Sequence, residues 1–214
     1  MEAPHLIFDL DGTLIDSRRE MIDTYKKVFA QLPPVNHVDP ETLDFGAALP
    51  VILESVYGKD ELLRQKARTL FVEIYDHSTY ESTSLYPGVV EALQQMHKDS
   101  FTLHIATNKR MTPVVNILRT KKVYDLFTSI KTSDMGGEQL LSKKAMVSAT
   151  CSEFGIRKGC MVGDSIHDLE AGHDSGLATV AVLYGYEKKE ELLKKNPTFV
   201  INHFKEILTY ITQL

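Results

Sequence analysis

The stretch Leu6-Ile7-Phe8-Asp9-Leu10-Asp11-Gly12-Thr13-Leu14 constrains this chain more than any other. An apolar run with the β-preferring residues Ile7 and Phe8 ends in two carboxylates and a Gly-containing turn. That is the pattern of a buried strand that stops at a turn. Asp9 and Asp11 are then expected at the carboxyl edge of a sheet, where the crevice of an open α/β sheet takes its ligands. Acids at i and i+2 start from the same side of a strand and can reach one reacting group. Their like charges repel, and a divalent cation would relieve the conflict. Asp and Gly are also common turn residues for reasons of backbone geometry alone, so this stretch in isolation speaks only modestly for chemistry.

The rest of the chain changes rhythm once. Ser17-Arg18-Arg19-Glu20 has capping-box spacing, and Met21, Tyr25, Val28, Phe29 and Leu32 follow at helical intervals until Pro33-Pro34. Further helical runs are expected over 40–45, 51–56 and 60–77, with a break at Gly46 and no strand between 17 and 82. From Tyr86-Pro87-Gly88 onward, helices over 89–97, from 112, over 142–154 and over 166–175 alternate with short apolar strands. The strands are expected at 101–106, 127–131, 160–162, 179–183 and 199–201, with one more helix before the last of them and a terminal helix after it. Such alternation implies a mostly parallel sheet covered on both faces. The expected fold is α/β: a doubly wound, Rossmann-like parallel-sheet core from 1–16 and 84–214, with an all-helical cap domain inserted at 17–83.

Composition narrows the class. A chain of 214 residues, 43% hydrophobic and 25% charged, has ordinary globular composition and can bury a sizeable core. A formal net charge of -5 argues against a general nucleic-acid binder. No apolar run is long enough to cross a bilayer, and Met1-Glu2-Ala3-Pro4-His5 lacks the basic-then-apolar pattern of a leader. Two cysteines, Cys151 and Cys160, make no disulfide framework. The expectation is a soluble cytoplasmic protein, monomer or homodimer, with neither nucleic acid nor membrane as partner.

Two later strand ends carry polar groups. The run 103–106 ends in Thr107-Asn108-Lys109, where a hydroxyl and an amide suit hydrogen bonding to an oxyanion; taken alone, a polar loop or helix cap is the better explanation. After the apolar run 160–162, Gly163-Asp164-Ser165-Ile166-His167-Asp168 places two acids one helical turn apart, able to face one point. Carboxylate oxygens suit Mg²⁺, a hard cation that needs few protein ligands. His167 and His173 read as exposed helix residues.

Taken in order, these segments resemble the motifs of the haloacid dehalogenase (HAD) superfamily, phosphoglycolate phosphatase-like, over residues 5 to about 190. The resemblance implies that Asp9 is a nucleophile that becomes phosphorylated, and that Asp11 is a general acid/base. Thr107, assisted by Asn108, would hold phosphoryl oxygens; Mg²⁺ would be bound by Asp9, the main-chain carbonyl of Asp11 and Asp164, with Asp168 orienting Asp164 or a metal-bound water. The family's third motif is a Lys. Lys143 and Lys144 both qualify, and Lys143 is preferred because Met146-Val147 and Gly155-Ile156 then fall in the family's register. Many relatives carry Pro where Lys144 stands. The implied activity is Mg²⁺-dependent hydrolysis of a small phosphomonoester; a phosphomutase of the same fold and a catalytically silent binding protein are the alternatives. In the cap, the break around Gly46 is a candidate surface for the leaving group. Any second anion on the substrate would need a cation such as Arg18, Arg19 or Arg64.

Overall fold

The computed structural model of the protein describes residues 4–35, 37–137 and 139–213. Met1, Glu2 and Ala3, part of the stretch expected to lack a leader pattern, lie outside the described residues. The chain divides into two compact units, one of Met1–Asp16 with Leu85–Leu214, the other of Ser17–Ser84.

The first unit begins with β1 (His5–Phe8) and β2 (Ile15–Asp16). The chain then passes through α1 (Arg18–Gln31), α2 (Leu49–Tyr57) and α3 (Glu61–Asp76), and returns at β3 (Ser84–Leu85). Next come α4 (Val89–Lys98), β4 (Thr102–Thr107), α5 (Met111–Thr120), β5 (Ser129–Thr132) and α6 (Lys143–Phe154). The remainder is β6 (Gly159–Gly163), α7 (Ile166–Asp174), β7 (Ala178–Val182), α8 (Lys189–Leu193), β8 (Phe199–Ile201) and α9 (Ile207–Tyr210).

Six strands form one sheet in the order β5-β4-β1-β6-β7-β8, every pair parallel. The α/β doubly wound expectation is met. Leu6, Ile7 and Phe8 are all fully buried, as a central strand covered on both faces requires. Successive residues point to opposite faces. Ile7 joins Met146 and Val147 of α6 and Ala171 of α7, whereas Phe8 meets Phe127 and Phe204, with ring centroids 6.5 and 5.9 Å away. From β1 the chain moves to β4 and β5 on one side, then to β6, β7 and β8 on the other. Strand β1 therefore flanks the point where the winding reverses, and the crevice lies beyond its carboxyl end.

The Ser17–Ser84 unit is helical, and among its described residues no strand precedes Ser84. Its interior is a chain of rings: Tyr25 lies 4.9 Å from Phe71, Phe71 stacks on Tyr75 at 5.3 Å, and Tyr75 meets Tyr80 edge-on at 5.5 Å. Asp60 caps α3 by accepting from Leu63 N.

Several local expectations fail for identifiable reasons. The Ser17/Glu20 capping box does not form, because the Glu20 carboxylate accepts instead from Ser78 Oγ and from Ser82 N. The run expected over 40–45 is a single 3₁₀ turn, Pro40–Thr42, and Asp39 and Asp44 hold local turns on either side of it. The terminal helix is one α turn, Ile207–Tyr210, between two 3₁₀ turns. Strands β2 and β3, two residues each, pair with one another and were not expected.

Candidate active site

Asp9 follows β1 directly, and its N–H donates to Val162 O, fastening the turn to β6. With the parity of Ile7, Asp9 lies on the α6 side of the sheet, where Lys143 begins that helix. A cation in the first turn opposes the helix dipole, so local helix energetics do not explain this lysine. Its partners do: Lys143 Nζ lies 2.7 Å from Asp9 Oδ1 and 2.8 Å from Asp168 Oδ1, and donates to Ala106 O at 2.9 Å. Burial alone would lower the Lys143 pKa, but Asp168 and then Asp9 outweigh it and hold the group charged. Lys144, one position on, is exposed and pairs with Asp174 at 2.9 Å.

Asp164 directly follows the Gly159–Gly163 strand and points at the same place. Its Oδ1 accepts from Thr13 Oγ1 at 2.7 Å and its Oδ2 from Tyr186 N at 2.8 Å. Asp168 is fully buried, with Oδ2 accepting from Ser165 N and Ser165 Oγ in a capping box that starts α7. Asp9, Asp164 and Asp168 each offer an oxygen, all within 4.8 Å of one another. The space is walled by glycines. At Gly12, where φ is +80°, an added Cβ would sit 2.1 Å from Asp164 Oδ2, and at Gly185 it would sit 2.2 Å from Asp164 Cβ. Any side chain at either position would displace this carboxylate.

The cluster is short of positive charge: three buried carboxylates face one ammonium. Burial, reinforced by Asp168 against the pull of Lys143, pushes the Asp9 carboxyl up to about 7. Burial, then Asp9 and Asp168, raises Asp164 well above the usual carboxylate range. A hard divalent cation among these oxygens would remove that conflict, so the residues fit Mg²⁺. Asp164 spends one hydrogen bond on each oxygen and keeps lone pairs for an ion, while both oxygens of Asp168 are engaged by Lys143 and Ser165.

The remaining candidates are placed as follows. Thr107 ends β4, is buried, and accepts from Lys109 N at 3.2 Å, so its own O–H remains available to donate. Asn108 has its carbonyl held by Ser133 Oγ at 2.7 Å. The Asp11 carboxylate is not in the three-acid group and is gripped by Lys109. Gly46 and Arg18 belong to the Ser17–Ser84 unit, Gly46 in a turn closed by Asp44 and Arg18 at the start of α1. In the same unit Arg19 pairs with Asp23, and Arg64 with Glu61 and Glu54.

A family model described as haloacid dehalogenase-like hydrolase matches residues 6–182. The chain belongs to that hydrolase family. It is 28% identical over 220 residues to a phosphoglycolate phosphatase of Vibrio parahaemolyticus, covering 96% of this chain and 95% of the other. It is also 28% identical over 226 residues to a phosphoglycolate phosphatase of Psychrobacter arcticus, covering 99% and 96%. In fold it is similar to a predicted phosphatase from Clostridium acetobutylicum, with a TM-score of 0.86, 23% identity and 99% of each chain covered.

Within this candidate site, sequence reasoning missed four supports. Thr13 and the Tyr186 N–H hold Asp164, and Tyr184 OH donates to Thr13 O at 2.8 Å, tying the 184–186 segment to the opening motif. Lys109 was passed over although it adjoins Thr107-Asn108. Its signal is a lysine two residues past a strand end, but its partner is 98 positions away.

Proposed function

We propose that this hydrolase is a Mg²⁺-dependent phosphatase of small phosphomonoesters, phosphoglycolate phosphatase-like, acting through an aspartyl-phosphate. The observation that carries the reading is the buried group of Asp9, Asp164 and Asp168 around Lys143, with more negative charge than the chain itself balances. Asp9 attacks phosphorus, forming a bond from its carboxylate oxygen as the bond to the leaving oxygen breaks; the intermediate divides one hard step into two. Asp11 gives its proton to the leaving oxygen, then takes one from the water that cleaves the aspartyl-phosphate. Thr107, Asn108 and Lys143 hold the phosphoryl oxygens, and Asp168 keeps Lys143 in place. Asp9, Asp164 and the Asp11 carbonyl would hold Mg²⁺. The ion supplies charge neutralisation of the transferring group when bound. In this reading residues 1–16 and 84–214 are the catalytic core and 17–83 the cap.

Phosphate release from a panel of phosphomonoesters tests the reading, with phosphoglycolate first because of the relatives' name. Activity should vanish with a chelator and return with Mg²⁺. Asp9→Asn should lose about 10⁴-fold or more of kcat while keeping its fold. Ordinary turnover by folded Asp9→Asn protein, or full activity without divalent metal, would sink it.

A further inference from the structure

The two acids of the opening motif part company in the fold. Asp9 turns to Lys143, whereas Asp11, two residues on, is held by a different lysine. Lys109 Nζ lies 2.9 Å from both Asp11 Oδ1 and Asp11 Oδ2. The Lys109 side chain is 6% exposed and that of Asp11 14%. Lysine usually buries its stem and keeps its ammonium in water, so a head withdrawn this far onto a carboxylate is a built contact. The backbone beneath it is also fixed. Lys109 N donates to Thr107 Oγ1, Ser133 Oγ donates to Asn108 O, and the Asp134 carboxylate accepts from Met111 N at 3.1 Å. Strands β1 and β4 are neighbours, so the lysine reaches across one inter-strand space to the adjoining turn.

We propose that Lys109 is the positioning residue for Asp11, fixing the plane of its carboxyl group and thereby which oxygen exchanges the proton. This rests on the phosphatase reading above. A carboxyl group rotates freely about Cβ–Cγ, and a proton on the wrong oxygen cannot reach the leaving group. An ammonium in contact with both oxygens removes that freedom. When one oxygen carries the proton, the ammonium keeps its bond to the other, and the O–H faces away from Lys109. The proton goes to the leaving oxygen as the P–O bond breaks and the Asp9–P bond forms. In the second half-reaction the same oxygen takes a proton from water. Lys109 keeps its own protons throughout.

The test is kcat/KM, which reports transfer to Asp9, for Lys109→Met and Lys109→Arg with Mg²⁺ on three esters. The esters are p-nitrophenyl phosphate, whose leaving group needs little protonation, ethyl phosphate, whose leaving group needs it, and phosphoglycolate, which adds a carboxylate. Lys109→Met should lose about 10- to 100-fold on ethyl phosphate, less than the roughly 10²–10⁴-fold that the positioned acid itself contributes, and only a few-fold on the nitrophenyl ester. Phosphoglycolate should fall with ethyl phosphate, Lys109→Arg should recover part of the loss, and adding Lys109→Met to Asp11→Asn should cost nothing further. Each ratio between esters is read in one protein preparation, so a reduced folded fraction cancels. An equal loss on all three esters would mean a merely structural lysine and overturn the assignment. So would a loss confined to phosphoglycolate, which would make Lys109 a cation for the substrate's second anion. If the wild type released phosphate from none of the esters, the phosphatase reading itself would fall, and this assignment with it.

Discussion

Both units have apolar interiors, but they differ in what else they bury. The Met1–Asp16 and Leu85–Leu214 unit buries Asp9, Lys143, Asp164 and Asp168 at one end of its sheet. The Ser17–Ser84 unit buries rings: Tyr25, Tyr57, Phe71, Tyr75 and Tyr80. Taking a charge out of water costs several kcal/mol, and even a well-made buried pair often does no better than apolar residues of the same volume. Aromatic rings gain from burial and add about 0.5–1.5 kcal/mol per well-placed pair. Stability alone thus accounts for the rings of the helical unit, though not for the Tyr25 hydroxyl, which is buried without a hydrogen-bond partner, and fails to account for the acids of the sheet unit. The difference is what singles out the acids of the sheet unit as the candidate site.

The largest expected effect separates two adjacent lysines. Lys143→Ala should lower kcat by about 10²–10³-fold, the scale of one preorganised electrostatic contact. It should also destabilise the protein by about 3–5 kcal/mol, since Asp9 and Asp168 would keep their burial and lose their cation. Lys144→Ala removes an exposed pair with Asp174 and should change stability by less than about 1 kcal/mol, with kcat unaltered. Steady-state kinetics and urea denaturation of both variants check this. Equal effects at the two positions would break the contrast between buried and exposed charge on which the comparison stands.

What was legible in the sequence divides along the same line. Asp9 and Asp164 could be read because an acid after an apolar strand is placed by the strand itself and parallel neighbours bring strand ends together, and Asp168 because it lies one helical turn beyond Asp164. Lys143 is favoured over Lys144 by the register of the family the chain resembles, at Met146-Val147 and Gly155-Ile156, not by any periodicity of the chain itself. Apart from the 40–45 run, which local Asp39 and Asp44 turns break, the failures are long-range bonds overriding local patterns. Glu20 prefers Ser78 and Ser82, roughly sixty positions away, to its own helix start. Asp11 is met by Lys109 and Asp164 by Tyr186 N, and no spacing rule reports either. Strands β2 and β3 are two residues long, too short for any period to show.

The helical unit offers the next test. Phe71 lies within ring contact of both Tyr25 and Tyr75, and Phe71→Ala should cost about 3–5 kcal/mol as a cavity in a packed core. If the units differ as their interiors do, the loss stays in one of them. Amides of α1 and α3 should exchange much faster while those of β1, β4 and β6 keep their protection. Uniform loss of protection would show that the two interiors stand or fall together.

The smallest expected effect asks whether the sheet unit contains buried polar groups that stability does explain. His104, fully buried on β4, shares a 3.0 Å hydrogen bond with His5 and a 2.8 Å bond with Ser129 Oγ, and packs on Phe154 at 4.7 Å. Burial lowers its pKa from 6.5 to about 4; His5 and Lys131 push the same way and Glu153 opposes them. The unfolded chain therefore takes up a proton near pH 6.5 while the folded one does not until about 4. The stability contributed by the neutral ring is complete above 6.5 and is lost as the pH falls toward 4. Between about pH 7 and pH 5.5 the loss should be about 1 kcal/mol. Asp9 gives the opposite slope, because its raised pKa makes the folded state bind the extra proton. Wild type alone would thus show a mixture. His104→Gln keeps an amide able to bond His5 and Ser129 but does not titrate. Denaturant unfolding at the two pH values, compared with wild type, cancels the Asp9 contribution and leaves that of His104. The variant should lose less stability on acidification than wild type by about 1 kcal/mol. Identical pH dependence in the two proteins would mean that the buried histidine takes up its proton at the same pH folded as unfolded, so that burial does not lower its pKa.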